Sequence, residues 1–153
     1  MKALVDTNVL LDVFLKREPF YQDSNKILQL VKDKELEGYV SIQTLRDIFF
    51  IYKRSRERDP LYPIQVLLFF FEVIDVNRDD LISVLTSDIG DLEDGLLAFS
   101  AIRNGINTII TRNEKDFLEA EMAVINPKDI GRYLGRQVDG GSITIDNVFY
   151  IGG

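Results

Sequence analysis

The chain has no cysteine and no histidine among its 153 residues. Without cysteine, disulfides and thiolate metal sites are excluded. Without histidine, imidazole cannot act as base, nucleophile or metal ligand. Acid–base or metal chemistry must therefore rest on carboxylates, lysine, tyrosine, hydroxyls or amides. The metals that suit such donors are hard ions such as Mg²⁺ or Mn²⁺. Long apolar runs are also lacking. The longest candidate, "VLLFFFEVI", is broken by Glu72 and falls short of the roughly 18 residues of a membrane span. No secretory leader is visible, because Asp6 interrupts the place where its apolar core would sit. These absences fit a cytoplasmic protein with no membrane segment. Positive charge is scarce: the formal net charge is −7. That argues against nucleic-acid binding over the whole surface, while leaving room for a local basic strip.

What is present reads as a globular domain. Hydrophobic residues make up 46% of the chain, too many for a disordered protein and enough for a core. Short apolar, β-branched runs fall at Ala3–Val5, Tyr39–Ile42, Val73–Val76, Thr108–Thr111 and Ala123–Ile125. Helical patterns lie between and after them, at about 9–17, 22–35, 43–56, 60–71, 78–86, 92–104 and 127–134. Gly105 is placed to close the sixth helix. Strand–helix alternation predicts a parallel sheet covered on both faces. In such sheets reactive groups gather at the carboxyl ends of strands. Asp6 stands at one such end, after "MKALV". Ser41 lies near another, and Thr111 and Asn113 follow "NTIIT".

Four segments set acids beside apolar structure: Asp6; Asp47 in "SIQTLRDIFFIYKR"; Asp91, Glu93 and Asp94 in "DLEDGLLAFSAI"; and Asp116 in "TRNEKDF". Carboxylates brought together repel one another unless a cation neutralises them. With Mg²⁺ or Mn²⁺ they form a ligand shell able to activate water and stabilise a phosphoryl transition state. Each acid also has a purely structural reading. Asp6 fits a helix cap. Asp12 fits a solvent-facing helix pair with Lys16. Asp47 fits a surface acid, and Asp116 fits a local cap or ion pair. "DLED" resembles a capping box with Asp91 as its cap, Glu93 falls on another face and reads as solvated, and Asp94 is the hardest to dismiss.

The order of these segments resembles the PIN-domain family, small metal-dependent ribonucleases that include the VapC toxins of bacterial and archaeal toxin–antitoxin pairs. The motifs that carry the resemblance are "LVDTNVLLD", "SIQTLRDIFFIYK" and "DLEDGLLAFSAIRNGINTIITRNEKDF", with "INPKDIGRYL" resembling the closing strand and helix. The resemblance implies a three-layer α/β/α fold with a five-stranded parallel sheet in the order 3-2-1-4-5. It implies Asp6, Asp47, Asp94 and Asp116 as the catalytic, metal-binding acids. Asn8, Thr111 and Asn113 would support them, with Asn113 and Asp116 sharing the region of the fourth acid. Two departures stand out. Asp47 is one methylene shorter than the Glu of many relatives. Gly95 stands where Ala is usual, which predicts a looser helix start.

Arg112, beside the fourth motif, is the best single candidate for RNA contact. Lys53 and Arg54, in the basic run "YKRSRER", are further candidates; the same run also fits a solvated helix end. In the aromatic run at 69–71, consecutive rings face different directions, which suits a core or dimer interface. Residues 1–136 form the expected nuclease domain. The segment 137–153, after the glycine-rich "DGGS", is read as a hairpin about Asp146-Asn147 or as a flexible tail.

The function this reading implies is a Mg²⁺- or Mn²⁺-dependent endoribonuclease, the toxin of a toxin–antitoxin pair, with RNA as substrate, an antitoxin protein as partner and a homodimeric state. The alternative is a non-catalytic PIN-like module binding RNA or protein through the same crevice. A small-molecule phosphatase is a weaker third reading. Asn8 interrupts the D-x-D pattern it would need at Asp6, and no P-loop is present.

Overall fold

A computed structural model describes residues 1–55 and 59–138 of the chain. Five parallel strands form one sheet: β1 (Lys2–Val5), β2 (Glu37–Ser41), β3 (Glu72–Ile74), β4 (Thr108–Ile110) and β5 (Ala123–Ile125). Their spatial order is β3-β2-β1-β4-β5, every neighbouring pair being parallel. The α/β fold and strand order expected from the sequence are those observed.

Among the described residues, six α-helices connect the strands and a seventh follows β5: α1 (Thr7–Phe14), α2 (Tyr21–Lys32), α3 (Ile42–Ser55), α4 (Tyr62–Phe70), α5 (Arg78–Leu85), α6 (Leu92–Arg103) and α7 (Ile130–Leu134). The first helix begins two residues earlier than the apolar pattern suggests. Asp6 is its N-cap, and Oδ1 accepts from the Thr7 amide at 2.7 Å. Thr7 and Asn8 therefore belong to its first turn. The last helical stretch divides in two, a 3₁₀ turn at Pro127–Asp129 followed by α7. A 3₁₀ turn at Glu114–Phe117 was not expected.

The alternation of the strands divides the core, since successive side chains point to opposite faces. Ala3 and Val5 pack with Val9, Leu10 and Ile27 on one face, together with Ile110 and Ile125. Leu4 and Ile109 pack with Leu97, Ala98 and Ala101 on the other. The sheet is thus buried on both sides, which explains why its short strands are almost wholly apolar. Phe71 is buried, whereas Phe69 is 70% exposed, so the aromatic run does turn from core to surface. Val138 packs into the first cluster, and Arg136 pairs with Glu35, so the packed unit runs to Val138. The tail beyond it, including the hairpin expected about Asp146-Asn147, lies outside the described residues.

Gly95 lies where α5 and α6 approach each other, a packing role beyond the looser helix start expected from sequence. A Cβ built there would meet Cγ1 and Cγ2 of Val84 at 2.8 Å, so glycine is what lets α5 and α6 approach. Overpacking costs about 1–3 kcal/mol, offset by the roughly 1 kcal/mol that alanine gains in a helix. Gly95→Ala should therefore lower the urea midpoint, by a net loss of about 1 kcal/mol. The same change in a Val84→Ala background should stabilise. A stabilising effect in the wild-type background would show that the two helices can part at no cost.

Candidate active site

After β3 the chain crosses to the opposite side of β1, so the strand order reverses between β1 and β4. A crevice opens at the carboxyl ends of strands at such a point. Asp6 lies at the end of β1, and its backbone N–H donates to the Ile110 carbonyl at 2.9 Å, the end of β4. Thr111 follows at once. Its hydroxyl, fully buried, donates to Asp6 Oδ2 at 2.7 Å, and Asn8 Nδ2 donates to the same oxygen at 3.2 Å. The Asn113 amide donates to Thr111 Oγ1 at 3.0 Å. Asp6 is therefore both helix cap and oriented site carboxylate: its two oxygens do different work. Asn8 and Thr111 thus bond the Asp6 carboxylate directly, and the Asn113 backbone N–H bonds Thr111 behind it.

The remaining acids approach from other elements. Asp91 caps α6, its Oδ1 accepting from the Asp94 amide at 2.9 Å; this is one half of the expected capping box. It leaves Glu93 and Asp94 in the first turn of α6, where the positive end of the helix favours negative charge. Gln43, in the first turn of α3, donates through Nε2 to the Glu93 carbonyl at 3.3 Å, tying the starts of the two helices together. The Asp94 carboxyl is pushed up to about 7, first by burial and then by the charges of Asp91, Asp116, Asp6 and Glu93. Glu93 is also pushed up to about 7, first by a hydrogen bond with Asp47, then by burial and the charges of Asp47, Asp91 and Asp6. Asp6 is raised by burial against the opposing hydrogen bonds from Thr111 and Thr7, with Asp116 raising it further. Asp6, Asp47, Glu93, Asp94 and Asp116 therefore occupy one electrostatic neighbourhood.

Glu93 is exposed, as its place on another face of α6 from Asp94 predicts; its link to Asp47 on α3 is what the sequence does not display. In the region of the fourth acid, it is Asp116 whose charge reaches Asp6 and Asp94, while Asn113 contributes its backbone. As the side chains stand, no three acids among the described residues converge closely enough to hold an ion. The donor set nonetheless fits a hard divalent cation in chemistry. All its ligands are oxygen, and its carboxyls raise one another's proton affinity in the absence of a counter-charge.

The basic candidates fare differently. Arg112 does not reach into open solvent. Its Nε and Nη2 donate to the two oxygens of Asp12 at 2.6 and 3.1 Å, and its guanidinium lies 3.8 Å from the centroid of the Phe20 ring. Asp12 itself is fully buried and accepts further bonds from Arg17 Nε and Ser24 Oγ, each at 3.0 Å. The solvent-facing pair expected between Asp12 and Lys16 is thus replaced by a buried ion network, because Asp12 lies on the α1 face that α2 and the segment after β4 cover. Lys53 and Arg54 are exposed in the last turn of α3. They lie roughly 9 Å farther along the helix than Asp47, not beside the acids.

The raised carboxyls fix a pH dependence. Carboxyls that hold protons more tightly folded than unfolded lose stability as pH rises. The loss begins near their ordinary values, about 4, and is complete above about 7. Metal-free protein should therefore melt at a higher temperature near pH 5.5 than near pH 8, and Asp94→Asn should flatten that difference. An equal slope in wild type and variant would show that the Asp94 carboxyl is not repelled in the folded state.

The fold and the crevice together define an α/β domain with paired carboxylates at its topological switch point. Residues 2–115 match the PIN domain family, and the chain belongs to it. No curated protein matches the chain by sequence. Among solved structures, it is similar to a chain of VapBC2 from Rickettsia felis bound to a DNA fragment from their promoter. That match has 20% identity and a TM-score of 0.60 over 82% of this chain and 98% of that one. A toxin–antitoxin complex from Klebsiella pneumoniae matches at 23% identity and a TM-score of 0.62, over 82% and 97% of the two chains. VapBC-1 from nontypeable Haemophilus influenzae matches at 16% identity and 0.59, over 84% and 99%. At these identities the likeness is one of fold.

Proposed function

We propose that the protein is a Mg²⁺- or Mn²⁺-dependent endoribonuclease, the toxin of a toxin–antitoxin pair acting in the cytoplasm. The observation that supports this reading is Asp6 itself, set at the topological switch point between β1 and β4 and held there by Thr111 and Asn8, with Asp94 and Asp116 near enough for their charges to bear on it and on one another. Such a concentration of carboxylates is costly without a cation. Asp6 and Asp94 would hold the ion, with Asp116 and Asp47 completing the set and Glu93 sharing the Asp47 side. When bound, the ion supplies Lewis acidity toward the phosphodiester and toward water. The chain's own part is to fix the ligands. Thr111 and Asn8 aim Oδ2 of Asp6, and Asp91 holds the first turn of α6, from which Asp94 projects.

RNA is its substrate, and an antitoxin protein and a second copy of the chain are its partners. The fold shared with a toxin–antitoxin complex supports the antitoxin. A second reading, a non-catalytic module using the same crevice, is favoured by the spread of the acids as the side chains stand. Divalent-ion binding and cleavage separate the two. At an ion concentration about a hundred times Kd, binding to the native state stabilises by roughly 2.7 kcal/mol. That is a rise of roughly 5–10 °C for a chain of this size. Wild-type protein in Mn²⁺ should show this rise and should cleave a single-stranded oligoribonucleotide, and EDTA should abolish both. Cleavage that survives EDTA would exclude the metal mechanism.

A further inference from the structure

Asp12 is a charged side chain with no exposure at all, yet it belongs to none of the acids grouped about the crevice. Its four accepted hydrogen bonds join three parts of the chain. Ser24 is on α2, Arg17 follows α1, and Arg112 follows β4. Both arginines then reach back to Asn8. Arg17 Nη2 donates to the Asn8 carbonyl at 3.1 Å, and the Arg112 amide faces Asn8 Oδ1 at 3.4 Å. Asn8 in turn donates to Asp6, and Thr111, the residue before Arg112, donates to the same Asp6 oxygen. A continuous chain of bonds thus runs from the buried carboxylate to the crevice.

The Arg112 side chain is held on two sides. Two forks of the guanidinium meet both oxygens of Asp12, and one face stacks on Phe20. A bidentate, stacked arginine has a fixed geometry that lysine cannot reproduce. A guanidinium fixed in this way fixes the backbone that carries it, and that backbone sets Thr111 and the Asn113 amide.

We propose that the Asp12–Arg112 pair is the positioning device of the site. It clamps the segment 111–113 onto α1, so that Thr111 and Asn8 aim the Asp6 carboxylate. Arg112 is thereby a positioning residue and does not contact RNA. The inference rests on the nuclease reading for its kinetic consequence, but not for its structural one.

The test compares wild type with Arg112→Lys, and with Arg112→Gln in case the lysine variant packs poorly. Three quantities are read: kcat and KM on a single-stranded oligoribonucleotide, Mn²⁺ affinity, and the backbone amide resonances of Thr111 and Asn113. Arg112→Lys keeps the charge but loses the fork and the stack. The expected result is a fall in kcat of at least about tenfold with KM little changed, as for a group acting through positioning. Mn²⁺ affinity should weaken severalfold, and both amides should shift. A contact with an RNA phosphate predicts the opposite: lysine rescues, and KM rises in the glutamine variant with a salt slope smaller by about one. That result would overturn the proposal. So would unchanged Mn²⁺ affinity and unchanged amides in a folded Arg112→Lys protein. If the wild type binds Mn²⁺ but cleaves no RNA, the nuclease reading fails alone. Mn²⁺ affinity and the amide shifts then still decide the role of Arg112.

Discussion

Asp94→Asn is expected to abolish RNA cleavage while leaving the fold intact. Asparagine keeps the shape of the side chain and removes its charge. The Asp91 side chain caps α6 through the backbone N–H of residue 94 and not through its side chain, so α6 keeps its start. Residues that merely orient metal ligands are worth about 10–100-fold in affinity or activity. Loss of an acid that holds the ion should therefore exceed about a hundredfold in kcat/KM. Removing one of five neighbouring acids also relieves repulsion, so the metal-free variant should be at least as stable as wild type above neutral pH, where Asp94 would otherwise carry its charge. Circular dichroism and thermal melting check the fold, and a fluorogenic oligoribonucleotide checks the activity. Undiminished cleavage, with wild-type contamination excluded, would remove Asp94 from the mechanism and with it the site assigned to this crevice.

Asp12→Ala is expected to have the largest effect on stability. Removing one partner of a buried ion pair typically costs about 3–5 kcal/mol, because the other partner is left uncompensated. Here two arginines and the Ser24 hydroxyl lose their acceptor together. The arginine side chains are 38% and 22% exposed, so water can partly replace what they lose, which favours the lower end of that range. Even about 3 kcal/mol is a large share of the 5–15 kcal/mol by which domains are stable. The melting temperature should fall by roughly 6–12 °C. Asp12→Asn retains one acceptor oxygen and should fall between alanine and wild type. A loss below about 1 kcal/mol in Asp12→Ala, from urea unfolding, would place the pair among ordinary surface salt bridges.

The architecture is legible in the sequence, and so is the order of the candidate acids. Apolar, β-branched runs such as Ala3–Val5 fix strands, and their regular exchange with helical periods leaves little besides a parallel α/β sheet. Asp6 and Asp91 were legible as caps, because capping depends on residues one to three positions away. The order of the acids was legible as a family motif. Gly95 was visible, but its purpose was not, since Val84 lies on another helix. The same limit applies throughout the site. Asp12 resembled a surface acid because its nearest helical neighbour is Lys16, yet its main partner is Arg112, 100 residues away in the chain. Glu93 is exposed as expected, but its neighbour Asp47 comes from α3, 46 residues earlier in the chain. The bonds of Arg112 to Asp12 and its stacking on Phe20 likewise join parts of the chain about 100 residues apart. Helix and strand periods are set by local sterics, so a sequence displays them directly. The burial of a charge and the partner of a carboxylate are set by which elements the crossovers bring together, and only the packed structure decides that.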